Sequence, residues 1–237
     1  MLPYIMETPI RYFYGICEKF ETIPIAEPFN VLTNFAFVGV ALALFRYARN
    51  HEDLKGFWVY DIYLLIFLVL SIGICSTIFH LFPNAQTELI DTIPIVAFIN
   101  IFFISTVVRI AGCKPLETVI CYIAYAGFTH ILITHFPNAL NDSIGYLSTM
   151  SALCVVAFYL NMKRRAAARS FLVAALLGVI SLFFRSVDNA VCDLFPLGTH
   201  FLWHILNAML IYILMKQLIR NVNRKARMLR AASEHFA

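Results

Sequence analysis

Two histidines four residues apart, His200 and His204 in GTHFLWHILNA, offer the clearest chemistry in this sequence. On a helix that spacing sets two side chains about 40° apart around the axis and roughly 6 Å apart along it, on one face. Ser76 and His80, in STIFH, share the spacing, and Asp91 follows further on. Three neutral imidazoles with one position left for water is the plan of a catalytic zinc site. Such an ion lowers the pKa of its water from 15.7 to about 7. Asp91 is then placed to take up and return the proton, and the Ser76 hydroxyl to donate to a developing oxyanion. The spacing leaves iron and other imidazole-accepting metals open beside zinc. A plain structural role also stands beside this one, since a histidine within a membrane is often only hydrogen-bonded across helices.

The elements that must carry these residues follow from composition. Hydrophobic residues make up 61% of the 237-residue chain and charged ones 14%, where a soluble domain carries about a quarter charged. Apolar runs fall at 29–48, 58–82, 88–110, 116–136, 143–162, 168–186 and 197–219. Each has the length of one membrane-spanning helix. The expected fold is all-α: a single polytopic membrane domain of seven transmembrane helices over residues 1–237, with no second domain. The first 26 residues lack the pattern of a cleavable signal peptide.

Lysine and arginine set the expected orientation. Fifteen of the eighteen lie in the odd-numbered loops and the tail, leaving Arg11, Lys19 and Arg185 on the other side. Positive charge stays cytoplasmic, so residues 1–27 form an extracytoplasmic segment and 220–237 a basic cytoplasmic tail. The tail reads as a juxtamembrane anchor near anionic headgroups rather than a nucleic-acid arm. In this topology His80 ends the second span, Asp91 lies about one turn into the third, and His200 and His204 open the seventh. All four share one depth below the outer surface. A carboxylate at that depth is costly to bury, which favours a metal site over isolated hydrogen-bonded histidines.

Other candidates separate on geometry. His130 and His135 also approach the outer face, but five residues place them about 140° apart around their helix. His51 and His235 fall on the cytoplasmic side. Cys75, Cys121 and Cys154 lie within apolar runs and are expected to be small buried residues. Arg185 and Asp188, one turn apart, are expected to form a structural ion pair. HLFPNA at His80–Ala85 and HFPNA at His135–Ala139 are similar helix exits, closed by Pro and Asn.

The pattern Ser76-x-x-x-His80, Asp91, His200-x-x-x-His204 resembles the alkaline ceramidase family, within a superfamily that includes adiponectin and progestin receptor-like proteins. IAEPFNVLTN (Ile25 to Asn34), DNAVCD (Asp188 to Asp193) and HFLWHIL (His200 to Leu206) carry the resemblance further. It implies zinc held by His80, His200 and His204, and water polarised by zinc and Asp91 to attack the amide of an N-acylated sphingoid base. It also implies a disulfide between Cys17 and Cys192, on the side where disulfides form. Some members bind calcium in an acidic segment before the first span, and Glu18 and Glu27 match two of those ligands. Gly15 and Phe20 stand where the family offers Asp and Asn, and calcium wants six or more oxygens. Glu27 is alternatively placed to hydrogen-bond within the bundle near Asn30 and Asn34.

The function expected is therefore a zinc-dependent intramembrane amidase cleaving ceramide or a related N-acyl lipid. Two alternatives are a lipid-sensing receptor-like protein with a metal site and an ester-cleaving lipid remodelling hydrolase. The partners expected are a ceramide-like membrane lipid and the bilayer, with no nucleic acid. A bacterial inner membrane and a eukaryotic endoplasmic reticulum or Golgi membrane both fit.

Overall fold

The computed structural model describes residues 16–19, 25–51 and 59–234, with side chains through Arg224 and at Met228. Seven helices are long and apolar enough to cross a membrane, and no strand occurs among the described residues. They are α1 (Pro28–Arg49), α2 (Tyr60–Leu81), α3 (Ala85–Thr106), α4 (Pro115–His135), α5 (Gly145–Met162), α6 (Ala167–Val187) and α7 (His200–Glu234). Each packs beside its neighbour in sequence, and α7 returns against α1 to close the ring. Contact between α3 and α4 is slight, and α4 leans mainly on α5. Outward faces are apolar, as at Leu32, Phe67, Val155 and Leu176, because lipid rather than water surrounds them.

Local chemistry sets the helix limits. Pro28 and Pro115 open α1 and α4 in the first turn, where the missing N–H would have no partner in any case. Asn84 caps α3 and Thr87 completes the reciprocal pair. Asp91 therefore lies nearly two turns into its helix, one more than the apolar run indicates. The end of α3 widens into a π turn at Val107–Ala111, closed by Gly112 at φ 84°. Gly112 reaches this left-handed conformation without a Cβ penalty. The basic tail continues α7 to Glu234, because its lysines and arginines are good helix formers and no Gly or Pro interrupts it.

Near the π turn, Arg109 binds Asp61 through two hydrogen bonds of 2.8 and 2.6 Å, and Ser105 donates to the same carboxylate. The Asn221 side chain donates to the Arg109 carbonyl at 2.6 Å. A forked guanidinium–carboxylate pair suits a place with little water, since each partner offsets the other's desolvation. The pair and the Asn221 bond tie α2, α3 and α7 at the end opposite the histidines.

Two cysteine expectations are corrected. Cys121 and Cys154 are exposed and Cys75 is half-buried. An apolar residue in a membrane helix is as much at home facing lipid as facing the core, so apolarity did not decide its side. His130 and His135 are exposed on α4, and His51 bonds the Tyr47 carbonyl. His235, Gly15 and Phe20 lie outside the described residues.

At the histidine end, residues 16–19 are pinned under the α6–α7 connection. Cys17 and Cys192 form a disulfide, and Ile16, Cys17 and Glu18 are all buried. Asp188, fully buried, accepts from the backbone N–H groups of Cys17, Thr199 and His200. Gly198, at φ 63°, makes the turn that brings Thr199 there. A Cβ at this position would collide with the Asp188 carboxylate and the Cys17 side chain. Gly198→Ala is accordingly expected to cost at least about 2 kcal/mol. A clearly lower unfolding midpoint in detergent would show it; an unchanged midpoint would contradict this reading of the turn.

Candidate metal centre

Two helices deliver the centre. His80 comes from the last turn of α2, and His200 and His204 from the first two turns of α7. All three are buried, and one ring nitrogen from each lies within 4.8 Å of the others. The ring centroids stand 4.6 to 5.2 Å apart. Among the described residues this is the one cluster of His, Cys, Asp or Glu of that size.

α1 supplies the outer partners. Glu27 accepts from His80 Nδ1 at 2.5 Å and from Asn30 Nδ2 at 3.0 Å. His204 Nδ1 lies 3.0 Å from Thr33 Oγ1. The Thr33 hydroxyl already donates to the Phe29 and Asn30 carbonyls, so toward His204 it accepts. With Glu27 ionised, both Nδ1 atoms carry their protons and both Nε2 atoms present lone pairs. Those two Nε2 atoms face each other at 3.2 Å. Two lone pairs at this distance repel unless a cation lies between them. Tetrahedral zinc with bonds of about 2.0–2.1 Å sets its nitrogens about 3.3 Å apart, so the spacing fits. His200 Nδ1 is buried without a hydrogen-bond partner.

The helix ends are fixed by buried carboxylates from elsewhere in the chain. Glu18 receives the backbone N–H groups of Phe29 and Asn30 at 2.7 and 2.8 Å, capping α1. Asp188 does the same for α7 through Thr199 and His200. A carboxylate at a helix N-terminus satisfies orphan donors and complements the dipole. Burial raises the pKa of both, and their backbone N–H donors pull it back. Burial also pushes the Glu27 carboxyl up to about 8, against the Asn30 hydrogen bond.

These contacts bear on the calcium expectation. Glu18 spends both oxygens on the α1 cap and Glu27 one on Asn30 and His80. No third residue among those described joins them in a metal-sized group. The bundle role considered for Glu27 is the one seen for Asn30. Asn34 is fully buried with both side-chain polar atoms unpartnered. Asp188 couples electrostatically to Arg185, but its oxygens chiefly serve the backbone clamp.

Asp91 lies outside the 4.8 Å group. Its Oδ1 is buried and unpartnered, and the buried Ser76 is its hydrogen-bonding neighbour. Tyr146 and Arg185 couple to it electrostatically. Sequence reasoning missed Tyr146, Thr33 and the His80 contact of Glu27. Only the patch IAEPFNVLTN, which holds Glu27 and Thr33, marked any of them.

An apolar cavity of about 100 Å³ lies between α3, α5 and α7, lined by residues that include Phe37, Phe98, Phe102, Tyr146, Trp203 and Leu214. Its upper wall meets the histidines, since Phe37 packs edge-on against His204 at 6.3 Å and Trp203 precedes it on α7. From Trp203 to Leu214 the wall runs about 16 Å along the helix. Three converging imidazoles thus border an apolar cavity.

The profile of the family described as Ceramidase matches residues 16–231. No curated protein and no solved structure matches the chain. The matched span begins at the segment pinned by Cys17, crosses all seven helices and takes in every residue of the histidine cluster. The chain belongs to the Ceramidase family.

Proposed function

We propose that this chain is a zinc-dependent intramembrane amidase that hydrolyses the N-acyl bond of ceramide or a related N-acyl lipid to a fatty acid and a sphingoid base. The observation that carries the proposal is the pair of Nε2 lone pairs at 3.2 Å, locked by Glu27 and Thr33. His80, His200 and His204 would hold the ion. When bound it would polarise the amide carbonyl and make water a nucleophile near neutral pH.

The other groups have their own work. Asp91, with Oδ1 unpartnered, takes the proton of the attacking water and returns it to the leaving amine nitrogen. Ser76 holds Asp91 in place or donates to the carbonyl oxygen as charge develops there. The apolar slot houses a lipid tail and keeps bulk water from the reacting bond. Positive-inside charge puts this chemistry at the extracytoplasmic side, with the N-terminus outside.

Purified protein in detergent, assayed for metal and for fatty acid released from defined lipids, tests the proposal. Cleavage of N-acyl sphingoid substrates that chelator stops and zinc restores is expected. Cleavage of ester lipids alone would replace it with the lipid-remodelling reading, and bound metal without turnover with the receptor-like one. Glu27→Gln is expected to weaken metal binding about 10–100-fold, because Glu27 orients His80 and raises its basicity. Competition against a zinc indicator measures this, and an unchanged affinity would remove Glu27 from the role.

A further inference from the structure

A second cavity, of about 380 Å³, opens at the other end of the bundle, between the α5–α6 turn and α7. Lys163, Arg164, Arg165, Arg220 and Arg224 line it, and no Asp or Glu among the described residues does. It lies roughly 24 Å along α7 from His204 at the rise of a helix. We propose that this cavity binds a phosphate-bearing anion, remote from the histidine cluster.

The wall is built rather than merely crowded. Asn221, buried, lines it while bonding the Arg109 carbonyl of the π turn. Gln217, also on the wall, accepts from Ser170 of α6. Arg220 donates to the Tyr47 hydroxyl from α1. The cavity is far larger than the roughly 30 Å³ share of one water. The five cations around it are exposed, with Lys163 over the Tyr159 ring; they repel one another, and a multiply charged anion lowers that repulsion. Arginine forks match phosphate oxygens two at a time.

The turn itself points the same way. α5 ends with the Arg164 N–H on the Asn161 carbonyl and the Arg165 N–H on the Leu160 carbonyl. This motif normally places glycine at the left-handed position, yet Arg164 occupies it at φ 50°. Glycine would relax the backbone there, and the arginine in its place lines the cavity. An ordinary topology anchor needs charge at this depth but no concavity; Arg46 and Arg49 on α1 serve that purpose without lining the cavity.

The phosphate can come from an anionic phospholipid headgroup in the cytoplasmic leaflet or from a soluble phosphate compound, and one experiment separates them. The full chain is placed in nanodiscs of phosphatidylcholine alone, of phosphatidylcholine with phosphatidic acid, and of phosphatidylcholine with inorganic pyrophosphate added. A rise of about 3 °C or more in the unfolding midpoint is expected in at least one of the last two. A rise with lipid alone assigns a headgroup, and a rise with pyrophosphate assigns a soluble ligand. Arg165→Gln with Arg224→Gln is expected to remove most of the rise, and Arg46→Gln with Arg49→Gln to keep it. Arg164→Gly relaxes the turn, so it folds at least as well while shrinking the rise. No rise with either probe, or equal loss in the Arg46/Arg49 pair, would overturn the proposal.

Discussion

His80→Ala is expected to empty the centre of metal and lower amide cleavage by at least about 1,000-fold. Its Nε2 is one of the two lone pairs that face each other at 3.2 Å, and no other histidine among those described reaches the group. Two remaining ligands on one helix leave zinc half-coordinated. His200→Ala and His204→Ala should behave alike, whereas His135→Ala, on the exposed face of α4, should leave both quantities unchanged. Elemental analysis per mole of folded protein, with fatty-acid release from the same preparation, reads the outcome. Full metal occupancy and full turnover in His80→Ala would refute the assignment of the centre. Loss of the fold would show separately as a lowered unfolding midpoint, and His204→Gln, closer in volume, guards against that confusion.

Asp91→Asn should separate binding from chemistry. The acid lies outside the 4.8 Å group, so metal content should stay at the wild-type level. With no carboxylate to shuttle the proton, kcat should fall about 100- to 10,000-fold while KM stays near its original value. Ser76→Ala should cost less, on the order of tenfold, because one hydrogen bond of about 1 kcal/mol is at stake. Asp91→Asn protein that loses its metal would make Asp91 a ligand instead. Undiminished kcat would hand the proton transfer to another group, Tyr146 being one coupled candidate.

How much was legible differs from residue to residue. The seven spans could be read because a bilayer demands about twenty apolar residues per crossing and the chain shows them in uninterrupted runs. His200 and His204 could be paired because helical spacing fixes one face, and depth then brought in His80. The π turn at Val107–Ala111 could not be read, since one extra residue in a turn leaves no mark in an apolar run. The outward aspect of Cys121 and Cys154 was equally hidden, because lipid and core ask for the same polarity.

Taken alone, the sequence determined the number of crossings, the charge asymmetry and the pairing of His200 with His204 on one helix face. These depend on local composition and on distances along a helix. Only the tertiary structure decided which groups serve the histidines: Glu27 behind His80, Thr33 behind His204, Glu18 capping the helix that carries Thr33, and Asp188 capping the helix that carries His200 and His204. The longest of these, Thr33 to His204, joins residues 171 positions apart, and it exists because α7 closes the ring against α1. A side chain's partner across helices is set by rotation about the axis and by which neighbour packs there, and neither is written in the local run of residues.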